Sequence, residues 1–203
     1  MQLIHYFDYK SPYAYLAQAE TFALADEFGA ELTVQPYSLD IPSFLGAAEL
    51  DAAGNDTLDQ RNAHQWRRVR YSYMDCRREA NRRGLVIRGP RKIFDSVLAH
   101  IGFYYASEQG DFHPYHDIVF ERFWRRELDI GDPAAIEGVL KEAGYDAAGF
   151  ADYAGNEGRR RHDRERAQAE EAGVFGVPSY RLDKELFWGA ERLERVRELL
   201  MAQ

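Results

Sequence analysis

The chain reads as an α/β fold in which both ends contribute strands to one sheet and a helical block separates them. Three observations predict this. The first forty residues run apolar stretch, helical pattern, alternating stretch. The last twenty-five read as a β-hairpin followed by an amphipathic helix. Between them, about 90 residues show helical spacing with no clear strand pattern.

Residues 2–7 are an apolar run of strand length. Tyr15, Leu16, Ala19, Phe22 and Ala23 then recur at helical spacing until Phe28-Gly29. Ser11-Pro12 sits where strand hands over to helix. Ser is a favoured N-cap, and Pro suits the first helical position because its missing N–H would have been unpaired there. Free N–H groups and the positive end of the helix dipole therefore face whatever lies before Ser11, a place suited to an anion. Residues 31–39 alternate well enough for a second strand, with Pro36 indicating an edge or a bulge. A right-handed βαβ unit follows.

Ile41-Pro42 breaks the pattern, and residues 43–56 read as a loop or short helix. Helices are expected over 59–83, 93–107, 114–126 and 133–144, then over 147–172 with a break around Gly155–Gly158. Residues 179–182 and 185–188 form the hairpin about Asp183-Lys184, and Leu193, Val196, Leu199 and Leu200 give the last helix its apolar side. A helical block between ends that pair in one sheet is an insertion. Residues 1–42 and 132–203 are thus expected to form one domain, with 43–131 inserted into it.

At 203 residues, apolar content is ample for such a core. The start, Met-Gln-Leu-Ile-His, lacks a basic leader, and no run approaches a membrane span. A soluble cytoplasmic protein is expected. Cys76 is the single cysteine, which excludes an intrachain disulfide and a cysteine-based metal cluster. His113 and His116 are a close pair without a clear third ligand, so no metal site is expected.

The net charge of −8 conceals a basic segment. Residues 61–92 hold ten Arg and one Lys against Asp75 and Glu79, a local balance of +9. Such a segment can bind nucleic acid, form a solvated face paired with the acidic remainder, or turn one or two guanidinium groups into a pocket for a carboxylate. Nucleic acid is the less expected partner. Tyr71, Tyr73, Tyr104 and Tyr105 read as core or interface, and Cys76 as a small filler.

The Phe7-Asp-Tyr-Lys-Ser-Pro-Tyr-Ala-Tyr-Leu-Ala stretch is similar to that of 2-hydroxychromene-2-carboxylate isomerases and their relatives, the kappa-class glutathione transferases. Ile101-Gly-Phe-Tyr-Tyr, Val119-Phe120 with Trp124, Val174-Phe-Gly-Val-Pro-Ser and Phe187-Trp-Gly-Ala-Glu-Arg-Leu extend the resemblance in the same order along nearly the whole chain. It implies a thioredoxin-like fold (β-α-β … α-β-β-α) of the DsbA kind with a large all-helical insertion. Disulfide oxidoreductases of that fold open the first helix with Cys-Pro-x-Cys. Here Ser11-Pro12-Tyr13-Ala14 carries no sulfur, so dithiol exchange is excluded.

The resemblance further implies a homodimer that uses glutathione as cofactor, with its sulfur at Ser11. The hydroxyl would donate to the thiolate beside the helix N-terminus. An unperturbed thiol has a pKa near ~8.5, and lowering it by about two units requires about 2.7 kcal/mol. One charge-assisted hydrogen bond and a helix terminus together supply about that much. Val177-Pro178 would be a cis corner whose backbone pairs with the cysteinyl residue of glutathione. Trp188, Gly189, Ala190 and Glu191 would hold the γ-glutamyl end, with Glu191 where Asp is usual. Asn62 and Phe94 match substrate-contacting positions. A Lys that precedes Asn62 in the isomerases is replaced around Asp51-Ala52, and an Arg pair by Val97-Leu98, so Arg88, Arg91 and Lys92 are the candidates to restore that charge. The activity implied is glutathione-dependent isomerisation of an aromatic or conjugated carboxylate, the thiol being regenerated. The alternatives are a kappa-like transferase that consumes glutathione, and a non-catalytic binding protein using segment 61–92.

Overall fold

The computed structural model describes residues 2–202. Strand β1 (Gln2–Phe7) runs into helix α1 (Pro12–Phe28), which Gly29 ends in a left-handed turn at φ 59°. Strand β2 (Glu31–Pro36) then pairs parallel to β1, from Gln2 with Glu31 to Phe7 with Pro36. Near the other end of the chain, β5 (Ser179–Leu182) pairs antiparallel with β1, and β6 (Glu185–Trp188) antiparallel with β5. The sheet order is β2-β1-β5-β6, so Pro36 lies on an edge strand, where its missing N–H costs no ladder bond.

Alternation along β1 separates two layers. On one face Leu3 joins Tyr180 and Leu182, packed under α1 and the last helix, α9 (Leu193–Met201), through Ala17, Leu24, Val196 and Leu200. On the other face lie Tyr6 and its β2 neighbour Gln35, whose side-chain amide donates to the Glu165 carbonyl of α8 (Glu157–Glu171).

The larger core is helical. At its centre is α4 (Val97–Gln109), apolar all round, as expected of a helix surrounded by others. It packs on α5 (His113–Arg125), α6 (Pro133–Glu142), α7 (Phe150–Gly155) and α8. Two glycines set the close approaches. A Cβ on Gly102 would overlap the Tyr115 hydroxyl, and one on Gly158 would lie 2.5 Å from Ile101 Cγ2. Phe7, Phe103, His116 and Phe120 continue this core up to the end of β1.

Four local expectations need correction. Residues 43–56 are neither loop nor simple helix: after α2 (Ile41–Leu45), β3 (Ala48–Leu50) and β4 (Asp56–Asp59) form a small antiparallel ribbon. The basic helix α3 (Ala63–Arg82) starts four residues later than expected, because Asn62 and Gln65 close a reciprocal capping box there. Helix α4 begins at Val97 rather than residue 93, leaving 84–96 as an irregular strap. The chain enters the final helix through a 3-10 turn, Ala190–Arg192. The expected break in 147–172 occurs at Asn156, between α7 and α8.

Candidate active site

The turn between β1 and α1 is organised by one buried carboxylate. Asp8 accepts the backbone N–H groups of Lys10 (3.0 Å) and Leu39 (2.7 Å), and its own carbonyl accepts the N–H of Ser11 (2.9 Å). The Lys10 ammonium lies 3.3 Å from Asp8 and 3.0 Å from Ser96 Oγ. Burial alone would raise the pKa of Asp8. The Lys10 ammonium, the neighbouring His100 and the Leu39 N–H outweigh it and hold the carboxyl well below its usual range. Behind this pair, Ser38 joins His100 (2.8 Å) to His162 (2.9 Å).

This frame presents Ser11 as the N-cap of α1. Its Oγ accepts the Ala14 N–H at 3.2 Å and donates toward the Val177 carbonyl at 3.4 Å. The Val177-Pro178 bond is cis. The Val177 N–H finds no hydrogen-bond partner among the described residues. Gly176 lets the Trp188 indole close in, since a Cβ there would lie 2.7 Å from its Nε1. Phe175 packs on the same indole with ring centroids 4.9 Å apart.

Ser11, Val177 and Trp188 open into one cavity of about 820 Å³. Its apolar wall includes Leu39, Ile41, Val69, Ile87, Ile93 and Phe94. Its polar wall is cationic: six of the ten arginines of 61–92 line it, with Lys10, Lys92 and Arg126, and Glu49 is the single acid of the lining among the described residues. The basic segment is thus both a solvated, salt-bridged face and part of a pocket wall: Arg68, Arg70, Arg77, Arg88 and Arg91 line the cavity and are also exposed, while Arg78, Arg82 and Arg83 pair with acids.

Several anticipated residues fall elsewhere. Asn62 is exposed and committed to capping α3, outside the cavity lining. Glu191 is also outside it, its side chain 73 % exposed and 3.9 Å from Arg192. Gly189 and Ala190 open the 3-10 turn, and the Gly189 N–H donates to the Pro178 carbonyl at 2.9 Å. The substrate candidate Phe94 does line the cavity, with the Lys92 ammonium 4.7 Å above its ring and Phe123 edge-on at 5.4 Å.

Tyr73 packs against the core, as expected, and also lines the cavity, whereas Tyr71 is exposed. Asp8, Lys10 and Arg61 were not singled out as site residues. Two charges inside an otherwise apolar strand-to-helix junction were the available signal for the first pair. Cys76 is buried, and burial pushes its thiol up to about 12, which leaves it inert at neutral pH.

The DSBA-like thioredoxin domain family matches residues 2–201. A 2-hydroxychromene-2-carboxylate isomerase of Pseudomonas putida is 30 % identical over 191 residues, covering 93 % of this chain and 88 % of that protein. The chain belongs to the 2-hydroxychromene-2-carboxylate isomerase family, within the DSBA-like thioredoxin fold. The isomerase of Sphingobium xenophagum is 27 % identical over 97 % of this chain and 96 % of its own. A solved 2-hydroxychromene-2-carboxylate isomerase superposes with a TM-score of 0.74 at 27 % identity, covering 100 % of this chain and 95 % of that one. The family's DSBA-like frame is thus kept here without the sulfurs of the disulfide oxidoreductases: Ala14 and Ser11 occupy the first turn, and Cys76 lies on α3. No helix among the described residues is long and apolar enough to cross a membrane.

Proposed function

We propose that this protein is a glutathione-dependent isomerase acting on a conjugated carboxylate of the 2-hydroxychromene-2-carboxylate type, the substrate in the names of its relatives. One observation carries the reading: the Ser11 hydroxyl, at the N-terminus of α1, points its hydrogen at the Val177 carbonyl on the rim of a large cationic cavity. The 3.4 Å contact is long for an O–H···O bond, so transferring that hydrogen to a better acceptor costs little. A thiolate on the rim is such an acceptor, and the dipole of α1 favours its charge. The unpartnered Val177 N–H and the Val177 carbonyl are what an extended peptide backbone would pair with. The residues present therefore fit the tripeptide at its sulfur and its cysteinyl backbone, with Ser11 and Val177 holding it. Bound there, glutathione supplies a nucleophilic sulfur that adds reversibly to a conjugated double bond and lets it rotate.

The chain's own part is positional and electrostatic. Ser11 and the α1 terminus keep the sulfur ionised. Ile87, Ile93 and Phe94 shield it from water, and the cationic wall receives the carboxylate. The test is turnover of 2-hydroxychromene-2-carboxylate followed together with total glutathione. The proposal expects the isomer to accumulate with glutathione undiminished. Stoichiometric loss of glutathione would indicate a transferase instead.

A further inference from the structure

Three guanidinium groups on the cavity wall are held in the same way. Arg61 Nε donates to the carbonyls of Leu45 (3.1 Å) and Gly46 (3.3 Å), and its guanidinium lies 5.0 Å from the Trp66 ring centroid. Arg126 Nε donates to the Gly89 carbonyl at 2.7 Å, and Arg77 Nε to the Tyr73 carbonyl at 2.9 Å. None of the three has a carboxylate within ion-pair distance among the described residues, although the chain carries a net charge of −8. Each is pinned at Nε and leaves its outer N–H groups unclaimed, the geometry that grips a carboxylate with two parallel hydrogen bonds.

Two of them are tied to one phenol, Arg77 through the Tyr73 carbonyl and Arg126 through Gly89, and Arg61 shares the cavity wall with it. The Tyr73 ring is fixed between Gly89, where a Cβ would lie 3.2 Å from its Cε1, and Trp124 at 6.5 Å between centroids. Its hydroxyl has no partner among the described residues, and it lies in the fields of Arg61, Arg126 and Arg77. Burial nonetheless pushes it up to about 12, so it remains a hydrogen donor at neutral pH. Arg126 also adopts φ 62°, a left-handed conformation uncommon outside Gly and Asn, at the C-cap of α5. There it closes the helix, its backbone N–H donating to the Arg122 and Phe123 carbonyls. None of these residues lies on the elements that bring Ser11, Val177 and Trp188 together.

We propose that Arg61, Arg77, Arg126 and the Tyr73 hydroxyl form an oxyanion subsite that grips the carboxylate of a planar substrate while its reactive carbons face Ser11. The acid group of the substrate is thus recognised independently of the thiol. This deepens the function proposed above and rests on its reading of the cavity as the substrate pocket.

Calorimetry with cinnamate, a planar carboxylate, tests it without glutathione, so failure of glutathione to bind would sink the proposed function and leave this measurement intact. Wild type is expected to bind cinnamate at least about tenfold more tightly than cinnamyl alcohol. R61M and R126M should each lose about tenfold or more, and Y73F a smaller factor. R61K should lose affinity while keeping the charge, because it lacks the fork. R78M removes the same charge from α3 outside the cavity and should bind as wild type. Melting curves report whether R61M is folded, and R126M carries the same test on a different element. Equal affinity for the alcohol, full affinity in R126M, or an equal loss in R78M overturns the subsite. So does displacement of cinnamate by glutathione, which would give these groups to the tripeptide's own carboxylates.

Discussion

Ser11 caps α1 and, in the function proposed, also holds the thiolate; the two roles separate on substitution. Ser11→Ala removes an N-cap acceptor and should lower stability by about 1 kcal/mol, read from the urea midpoint. It also removes the donor proposed for the thiolate, which should cost about 10²-fold or more in turnover. A stability loss with unchanged turnover would leave Ser11 a cap alone. Cys76 offers the opposite case. With its thiol pushed up to about 12, native protein should resist iodoacetamide at pH 7.5 and label only once denatured. Ser11 and Cys76 were both legible in the sequence, one from its place at a strand–helix junction and the other as a lone cysteine with no partner. The placement of Asn62 and Glu191 outside the cavity lining was not, because matching a motif position does not say where a side chain turns. Asn62 is spent on the capping box of α3, and Glu191 turns back on Gly189, where a Cβ would overlap its carboxylate.

At the scale of elements, legibility followed periodicity. Helix α1, the β5–β6 hairpin and α9 have apolar residues at regular spacing, and each lies where that spacing puts it. The β3–β4 ribbon does not. Its strands have three and four residues, with β4 exposed throughout, so neither alternation nor burial marks it. The 84–96 strap likewise lacks a period, yet it supplies Ile87, Ile93 and Phe94 to the cavity. The close packing of α4 on α5 was also hidden, since Gly102 reads as a weak point in a helix. Here it makes room for the Tyr115 hydroxyl, which donates to the Ala99 carbonyl at 2.9 Å. Gly102→Ala, helix-favouring by propensity alone, should therefore destabilise the protein by about 1–3 kcal/mol in urea denaturation.

Across the whole molecule, buried titratable groups set the acid limit of stability. His5, His100, His116 and His162 are held neutral by burial, with His5 lowered to about 3. In the unfolded chain each takes up a proton near pH ~6.5. Below that pH the unfolded state binds more protons, so stability falls as pH drops, by at most about 1.4 kcal/mol per unit for each such group until its native pKa is reached. For His5 the loss runs from about 6.5 down to about 3. Asp8 acts in the same direction lower down: its native pKa is depressed, so its contribution is full above the unfolded carboxylate value near ~3.9 and declines below it. Urea midpoints should therefore fall steadily from pH 7 to pH 4. His5→Phe should flatten that slope by about one proton's worth, since neither ring nitrogen of His5 has a hydrogen-bond partner among the described residues. The same whole-molecule view separates a frame shared with disulfide oxidoreductases from a site that lacks their sulfurs and has a cationic cavity instead. In the proposed function that cavity takes a thiol the chain does not own. Glutathione titrated into wild type and Ser11→Ala by calorimetry, with the heat compared in two buffers to count released protons, tests this most directly. Wild type should bind saturably with proton release at pH 7, and in Ser11→Ala the proton release should diminish. No binding at millimolar glutathione, or the same proton release from both proteins, would contradict it.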